Sequence, residues 1–152
     1  MTPSIPPDLE AALATHDPAT VLDATLTHFG CQAGTVHLLR GGVLKLTAHK
    51  NIPPPVVQIV ETVPIGKGIA GLAAQRLEPI TICNLQTDTS GQAKPGAKAT
   101  GMEGSIAVPM LVEGSLRGVL GIAKADAYDW PADETDLLAR VAGALAARLP
   151  QE

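Results

Sequence analysis

The first pattern along the chain is a stripe of apolar residues at helical spacing over residues 18–29. It predicts an amphipathic helix, for which Asp17 is a suitable N-cap and Gly30 a suitable stop. A second stripe, over residues 133–149, predicts a longer helix with one apolar side. The apolar positions of this second stripe are Leu137, Leu138, Val141, Leu145 and Leu149.

Runs typical of β-strands separate these two helices. Residues 35–50 predict a hairpin around Gly41 and Gly42, because glycine adopts the positive φ angles of a two-residue turn. Residues 104–124 predict a second hairpin, and residues 79–83 a single strand. Antiparallel hairpins with helices around them predict an α+β fold with a central antiparallel sheet.

The turn of the first hairpin also predicts its register. A two-residue turn places His37 opposite Leu46 and Thr35 opposite Ala48. We therefore expect the His37 side chain to point toward a covered, mostly apolar face.

The stretch between the two hairpins predicts two short helices and a loop. One helix covers residues 56–60 after three prolines, and the other follows the glycine turn 66–71 and ends near Arg76. Residues 84–101 have almost no apolar anchor, and we expect them to be the most mobile part of the domain.

Composition and charge narrow the class of protein. The chain has 152 residues, enough for one core, and no apolar run approaches the roughly 20 residues that span a bilayer. Without a secretory signal pattern, we expect a cytoplasmic protein with no membrane partner. The net charge is −4 and the 11 basic residues are scattered, which argues against nucleic acid as a partner.

Cys31 and Cys83 form no metal-binding pair, so we expect no metal and no other cofactor.

Four stretches resemble the GAF domain family. They are residues 63–71 (VPIGKGIAG), 79–82 (PITI), 104–110 (GSIAVPM) and 116–122 (LRGVLGI), in this order. The segment from Trp130 to Leu138 is similar to the start of the last helix of the family.

The resemblance implies a GAF-like domain over residues 18–149, preceded by a tail and a short helix within residues 1–17. It implies a sheet of five or six strands with the terminal helices on one face. Short helices and the long loop would cover a pocket on the other face. The residues that we expect around this pocket are His37, Leu46, Gly66, Lys67, Gly68, Cys83, Lys94, Lys98 and Ser105.

In a GAF domain such a pocket implies a non-catalytic sensor that binds a small molecule and signals to a separate partner protein. We expect an anionic ligand, because Lys67, Lys94 and Lys98 converge on the pocket together with a helix start.

Two other functions stay open. Cyclic-nucleotide binding is suggested by Lys124, Trp130, Asp133 and Glu134, which resemble a motif of the family, but Ala123 replaces the asparagine of that motif. The other function is reduction of free methionine sulfoxide.

Reduction of free methionine sulfoxide would require Cys83 and Cys31 as catalytic thiols. Those enzymes carry a cysteine in the glycine turn, where this chain has Ala70.

The glycine turn also fits the G-x-G-x-x-G pattern of dinucleotide sites, with Asp88 at a suitable distance. That site requires a strand directly before the turn, but Pro64 and the helical spacing of residues 56–60 disfavour one. We interpret the glycines as a tight turn at a helix start.

The terminal helices predict a homodimer. Ala139, Ala142, Ala146 and Ala147 widen the apolar coverage of the last helix, and small residues let a second helix approach closely. GAF domains often pair through these helices, and we expect two copies to associate in this way.

Overall fold

The computed structural model describes residues 4–90, 92 and 98–150. The strands are β1 (Ala33–Arg40), β2 (Val43–Lys50), β3 (Thr62–Val63), β4 (Ile80–Ile82), β5 (Gly104–Val112) and β6 (Ser115–Lys124). The helices of the described residues are α1 (Pro7–Leu13), α2 (Pro18–Phe29), α3 (Pro54–Val60), α4 (Gly68–Arg76) and α5 (Ala132–Arg148). The strands form one antiparallel sheet in the order β3-β2-β1-β6-β5-β4.

The helices divide over the two faces of the sheet. The terminal helices α1, α2 and α5 pack on one face, where Leu9, Leu22 and Leu145 belong to a single buried cluster. α4 packs on the other face, where Ile69 and Val119 belong to a second cluster. The predicted α+β fold, with its terminal helices on one face of an antiparallel sheet, is confirmed.

Local signals set the bounds of α2. The Asp17 carboxylate accepts a hydrogen bond from the Thr20 amide at 3.2 Å, which satisfies one free N–H of the first turn. Gly30 ends the helix with a φ of 66°, in the left-handed region that favours glycine. Both predicted ends are confirmed.

The hairpin of β1 and β2 has only part of the predicted register. Thr35 pairs with His49 rather than with Ala48, which corrects the expected pairing. The reason is a bulge beside His37, where Thr47 is an extra residue in β2. One extra residue turns Ala48 to the helix-covered face, where it is buried.

Two elements between the hairpins differ from the expectation. β3 was not predicted, because its two residues, Thr62 and Val63, are too few to show the alternation of a strand. α4 begins at Gly68, so part of the predicted glycine turn is its first turn. Gly71 lets this turn pack closely, since an added Cβ would lie 2.6 Å from the Pro64 carbonyl oxygen.

The segment 84–101 begins at the edge of the second cluster. Leu85 is buried there, and its amide donates to the Glu103 carbonyl at 2.7 Å. Gly91 and residues 93–97 lie outside the described residues, and the predicted mobility of the whole segment stays a prediction.

The longest helix, α5, has 17 residues. Within the part of the chain that the structure describes, no helix has both the length and the apolar character needed to cross a membrane.

Candidate functional site

A cavity of about 280 Å³ lies between the sheet and a roof made by α3 and the start of α4, and the edge strand β3 borders it. It lies on the sheet face opposite the terminal helices, where the pocket was predicted. Its volume is near the lower end of the roughly 300–1,000 Å³ that is usual for small-molecule sites. The cavity therefore suits a small ligand.

The floor of the cavity is formed largely by small residues of the central strands. Ala33 of β1 pairs with Ala123 of β6, and both line the cavity together with Gly34 and Gly121. Larger side chains at Ala33, Gly121 or Ala123 would take up the space, because protein interiors leave few voids.

The roof is held through few buried groups. Val56, Ile59 and Val60 of α3 line the cavity, but only Val56 is buried, and Ile59 is 62% exposed. Helices with so little buried apolar surface open more easily than the core. We therefore regard α3 as a wall of the cavity that can be displaced easily.

His37 connects the floor to this roof. Its side chain is 2% exposed, and its Nε2 lies 2.8 Å from the Val60 carbonyl oxygen, so this nitrogen carries the proton and donates. Burial lowers the pKa of His37, against the opposing effect of the Val60 bond, and the ring is therefore neutral near pH 7. Nδ1 is left as a buried acceptor with no partner among the described residues.

The start of α4 brings positive charge to one edge of the cavity. Lys67 is the one charged side chain among the described residues that line it. The first N–H groups of α4, at residues 68–70, have no partner within the helix, because they precede its first turn of hydrogen bonds. No side chain caps them either. A lysine beside free amides at a helix start favours an anionic group.

The structure brings together part of the predicted pocket. His37, Lys67, Gly68 and Ser105 line the cavity.

The other predicted residues lie elsewhere. Leu46 is half-buried on β2, and Gly66 forms the turn before α4, where its amide donates to the Gly71 carbonyl of that helix. Cys83 is exposed after β4, and Lys98 is exposed with its Nζ donating to a carbonyl of its own loop at 3.2 Å. Lys94 lies outside the described residues.

Most of the apolar residues that line the cavity were not predicted from the sequence. Ile52, Ile69 and Met102 contribute to the lining, from separate segments of the chain. The helical spacing of residues 56–60 indicated an apolar side for α3, but it could not indicate which part of the sheet that side would face.

Neither cysteine lines the cavity. Cys31 is half-buried after α2, and burial raises the pKa of its thiol to about 11. A hydrogen bond to the Asp129 carboxylate raises the pKa of the exposed Cys83 thiol. Since the thiolate is the nucleophile, both side chains are poor nucleophiles near neutral pH.

No cluster of metal-binding side chains is present in the described ranges. They contain no group of three or more His, Cys, Asp or Glu side chains placed to hold an ion.

Lys124 belongs to a separate cluster outside the cavity lining. Its ammonium donates to the Phe29 and Gly30 carbonyls at the end of α2. It also lies 4.5 Å from the ring centre of Tyr128 and 5.7 Å from that of Trp130. The lysine thus joins the end of α2 to the segment before α5 and has a structural role.

The class of protein follows from this fold and from the sequence. A sequence model described as a GAF domain matches residues 19–149, which is most of the chain. The chain belongs to the GAF domain family, whose members are typically sensor or regulatory modules that bind small molecules. Among curated proteins, none matches the sequence significantly.

Several solved structures share this fold. The GAF domain of an Acinetobacter phosphoenolpyruvate-protein phosphotransferase is 18% identical with a TM-score of 0.76, over 93% of this chain and 89% of that chain. Free methionine-R-sulfoxide reductase from Neisseria meningitidis, in complex with its substrate, is 15% identical with a TM-score of 0.75, over 97% and 93%. The A. aeolicus nlh2 GAF domain in an inactive state is 18% identical with a TM-score of 0.69, over 93% and 92%. At these identities the likeness shows the fold alone.

Proposed function

We propose that this chain is a non-catalytic sensor that binds a small molecule with an aliphatic body and an anionic group. The observation that carries the proposal is the cavity itself, whose lining is mostly apolar except for a few polar groups and the positive edge at Lys67. Burial of the aliphatic body would contribute about 25 cal/mol for each Å² of apolar surface removed from water. The anionic group would contact Lys67 and the free amides of α4.

The signal is proposed to pass through the roof to a separate partner protein. A ligand beneath α3 adds buried contacts to a helix that otherwise buries Val56 alone. Such a ligand would stabilise the closed position of α3, because it binds that position better than an open one. The partner would recognise the surface that the closed roof presents.

Thiol catalysis is left out of the proposal for a physical reason. Both thiols lie outside the cavity lining, and the pKa of each is raised. We expect purified protein to leave free methionine sulfoxide unreduced in the presence of a reductant. Turnover that Cys83→Ser abolishes would show that the chain is an enzyme.

The ligand class is tested with a matched pair of small probes. Hexanoate and hexanamide have the same aliphatic body, and only hexanoate carries a negative charge. We expect hexanoate to raise the melting temperature more than hexanamide does, and Lys67→Gln to remove the difference. Lys98→Gln is the control, since it removes the same charge from a residue outside the cavity lining.

Each outcome of this experiment has a clear meaning. Equal stabilisation by both probes would refute the anionic group while leaving the apolar cavity in place. Loss of the difference in Lys98→Gln but not in Lys67→Gln would refute the proposed position of the charge. If neither probe stabilises the protein, and purified protein releases no small aliphatic molecule for mass spectrometry, the sensor proposal is wrong.

A further inference from the structure

A second, smaller cleft of about 150 Å³ lies at the opposite end of β1 and β6 from the cavity. Its walls include Arg40 at the end of β1 and Arg117 near the start of β6. Leu149 and Pro150, which follow α5, close it on the helix side. Two cationic side chains therefore share one small concave site.

Arg117 occupies an unusual position in the sheet. Leu111 of β5 pairs with Leu116, and Met110 pairs with Gly118, so Arg117 between them is the extra residue of a β-bulge. Bulges turn a side chain away from the direction that regular pairing would give it. The Nε of Arg117 is buried and has no hydrogen-bond partner among the described residues.

The hydrogen bonds of Arg40 use only part of its capacity. One of its terminal nitrogens donates to the Leu39 carbonyl at 2.8 Å, and the other donates to the Pro150 carbonyl at 3.2 Å. A guanidinium has five N–H donors, so further donors remain.

No carboxylate neutralises this pair within the described part of the chain. The ion pairs found there join Asp8 to His28 and Asp23 to Lys50, and neither involves an arginine. Arg148 adds a third positive charge near the same end of α5. Three arginines thus lie at this end of the molecule.

We propose that Arg40 and Arg117 form an oxyanion-binding site for the phosphate or carboxylate group of a small molecule. The planar guanidinium fork matches both groups, and the terminal nitrogens of Arg117 together with the remaining donors of Arg40 would donate to the oxyanion. The bound oxyanion would join β1, β6 and the segment after α5. This site is separate from the cavity and does not depend on the function proposed for it.

The test follows the arginine Nε–Hε resonances of the ¹⁵N-labelled full chain by NMR. Sodium phosphate and sodium acetate are titrated separately, with sodium chloride keeping the ionic strength constant. We expect the Arg117 resonance to shift saturably with at least one oxyanion. In Arg117→Gln, where that resonance is lost, the shifts of backbone amides measure binding instead. We expect this variant to bind the oxyanion about tenfold more weakly. Saturation with phosphate alone, or with acetate alone, identifies the group that the site prefers.

Matched variants separate the cleft from general charge. Arg148→Gln removes one positive charge from the same end of α5 but not from the cleft lining, and is expected to leave binding nearly unchanged. Arg117→Lys keeps the charge without the fork and should bind with intermediate affinity. Arg40→Gln serves as a second test if the backbone spectrum shows that Arg117→Gln is misfolded. No saturable shift with either oxyanion, or equal affinity in wild type and both glutamine variants, would overturn the proposal.

Discussion

Among single residues, His37 shows how burial changes the chemistry of a side chain. It titrates near pH 6.5 in an unfolded chain, whereas burial lowers its pKa in the folded protein. Between these two pKa values the unfolded chain binds more protons than the folded one. The stability that the neutral ring contributes is therefore present above about pH 6.5 and is lost as the pH falls toward the folded pKa.

The wild-type protein is expected to lose stability as the pH falls from about 7.5 to about 5. We predict that His37→Gln loses less stability over the same range. Glutamine can still donate to the Val60 carbonyl but has no proton to gain in this range. Melting temperatures across the pH series measure the effect. His49→Gln, at an exposed histidine, is expected to keep the wild-type slope, and equal slopes in wild type and His37→Gln would contradict the prediction.

A second prediction at this scale concerns Cys83. Its hydrogen bond to Asp129 is the main cause of the raised pKa of the thiol, so Asp129→Asn should lower that pKa and increase the thiolate fraction. We expect Cys83 to react several-fold faster with iodoacetamide in Asp129→Asn at slightly alkaline pH. Mass spectrometry of the labelled peptides measures the rate. Cys31 in the same sample is the internal control, and a parallel increase at Cys31 would show that the variant has opened the fold.

At the scale of elements, two glycines of β6 illustrate different packing. A Cβ added to Gly118 would clash with the His37 carbonyl oxygen. A Cβ added to Gly121 would lie 3.4 Å from Thr35 Oγ1, which is an ordinary van der Waals contact. Gly118 therefore permits the close approach of β1, and Gly121 only borders the cavity floor.

We predict that Gly118→Ala lowers the free energy of unfolding by about 2–3 kcal/mol or more, because β1 and β6 must move apart. Gly121→Ala is expected to be neutral or slightly stabilising, since alanine costs less conformational entropy than glycine in a strand. Urea denaturation of both variants compares the two positions directly. Similar losses of stability in both would show that the close approach at Gly118 is not the cause.

Elements with strong local signals were predictable, and those set by contact with other strands were not. The α2 bounds followed from Asp17 and Gly30, and the turn of the first hairpin from its glycine pair. The bulge at Thr47 and the short strand β3 had no signal of their own. Both exist because of their neighbours: the bulge buries Ala48 against the helices, and β3 gains its hydrogen bonds at the edge of β2.

At the scale of the whole molecule, most of the apolar side chains predicted for one side of α5 pack against the sheet of the same chain. Leu138, Val141 and Leu145 are buried against the sheet and cannot contact a second copy. Leu137 is half-buried and Ala147 is exposed on the outer side of the helix. We propose that two copies associate through this outer side, which is narrower than the interface expected from the sequence.

Light scattering at micromolar concentration is expected to give twice the chain mass of 15.6 kDa. Ala147→Glu should return the mass to that of one chain, because it places a charge at an exposed position of the proposed interface. The same variant should keep the wild-type melting temperature at low concentration. A wild-type mass near 15.6 kDa would refute the dimer.

By itself, the sequence determined the helix ends, the turns, the order of the elements and the resemblance to the family. These features depend on residues close together in the chain, such as Asp17 and Thr20. Only the tertiary structure decided which side chains line the cavity, which way the bulges turn Ala48 and Arg117, and how burial changes the pKa of His37. The reason is that these properties arise between segments far apart in sequence, as in the bond from His37 to Val60, 23 positions away.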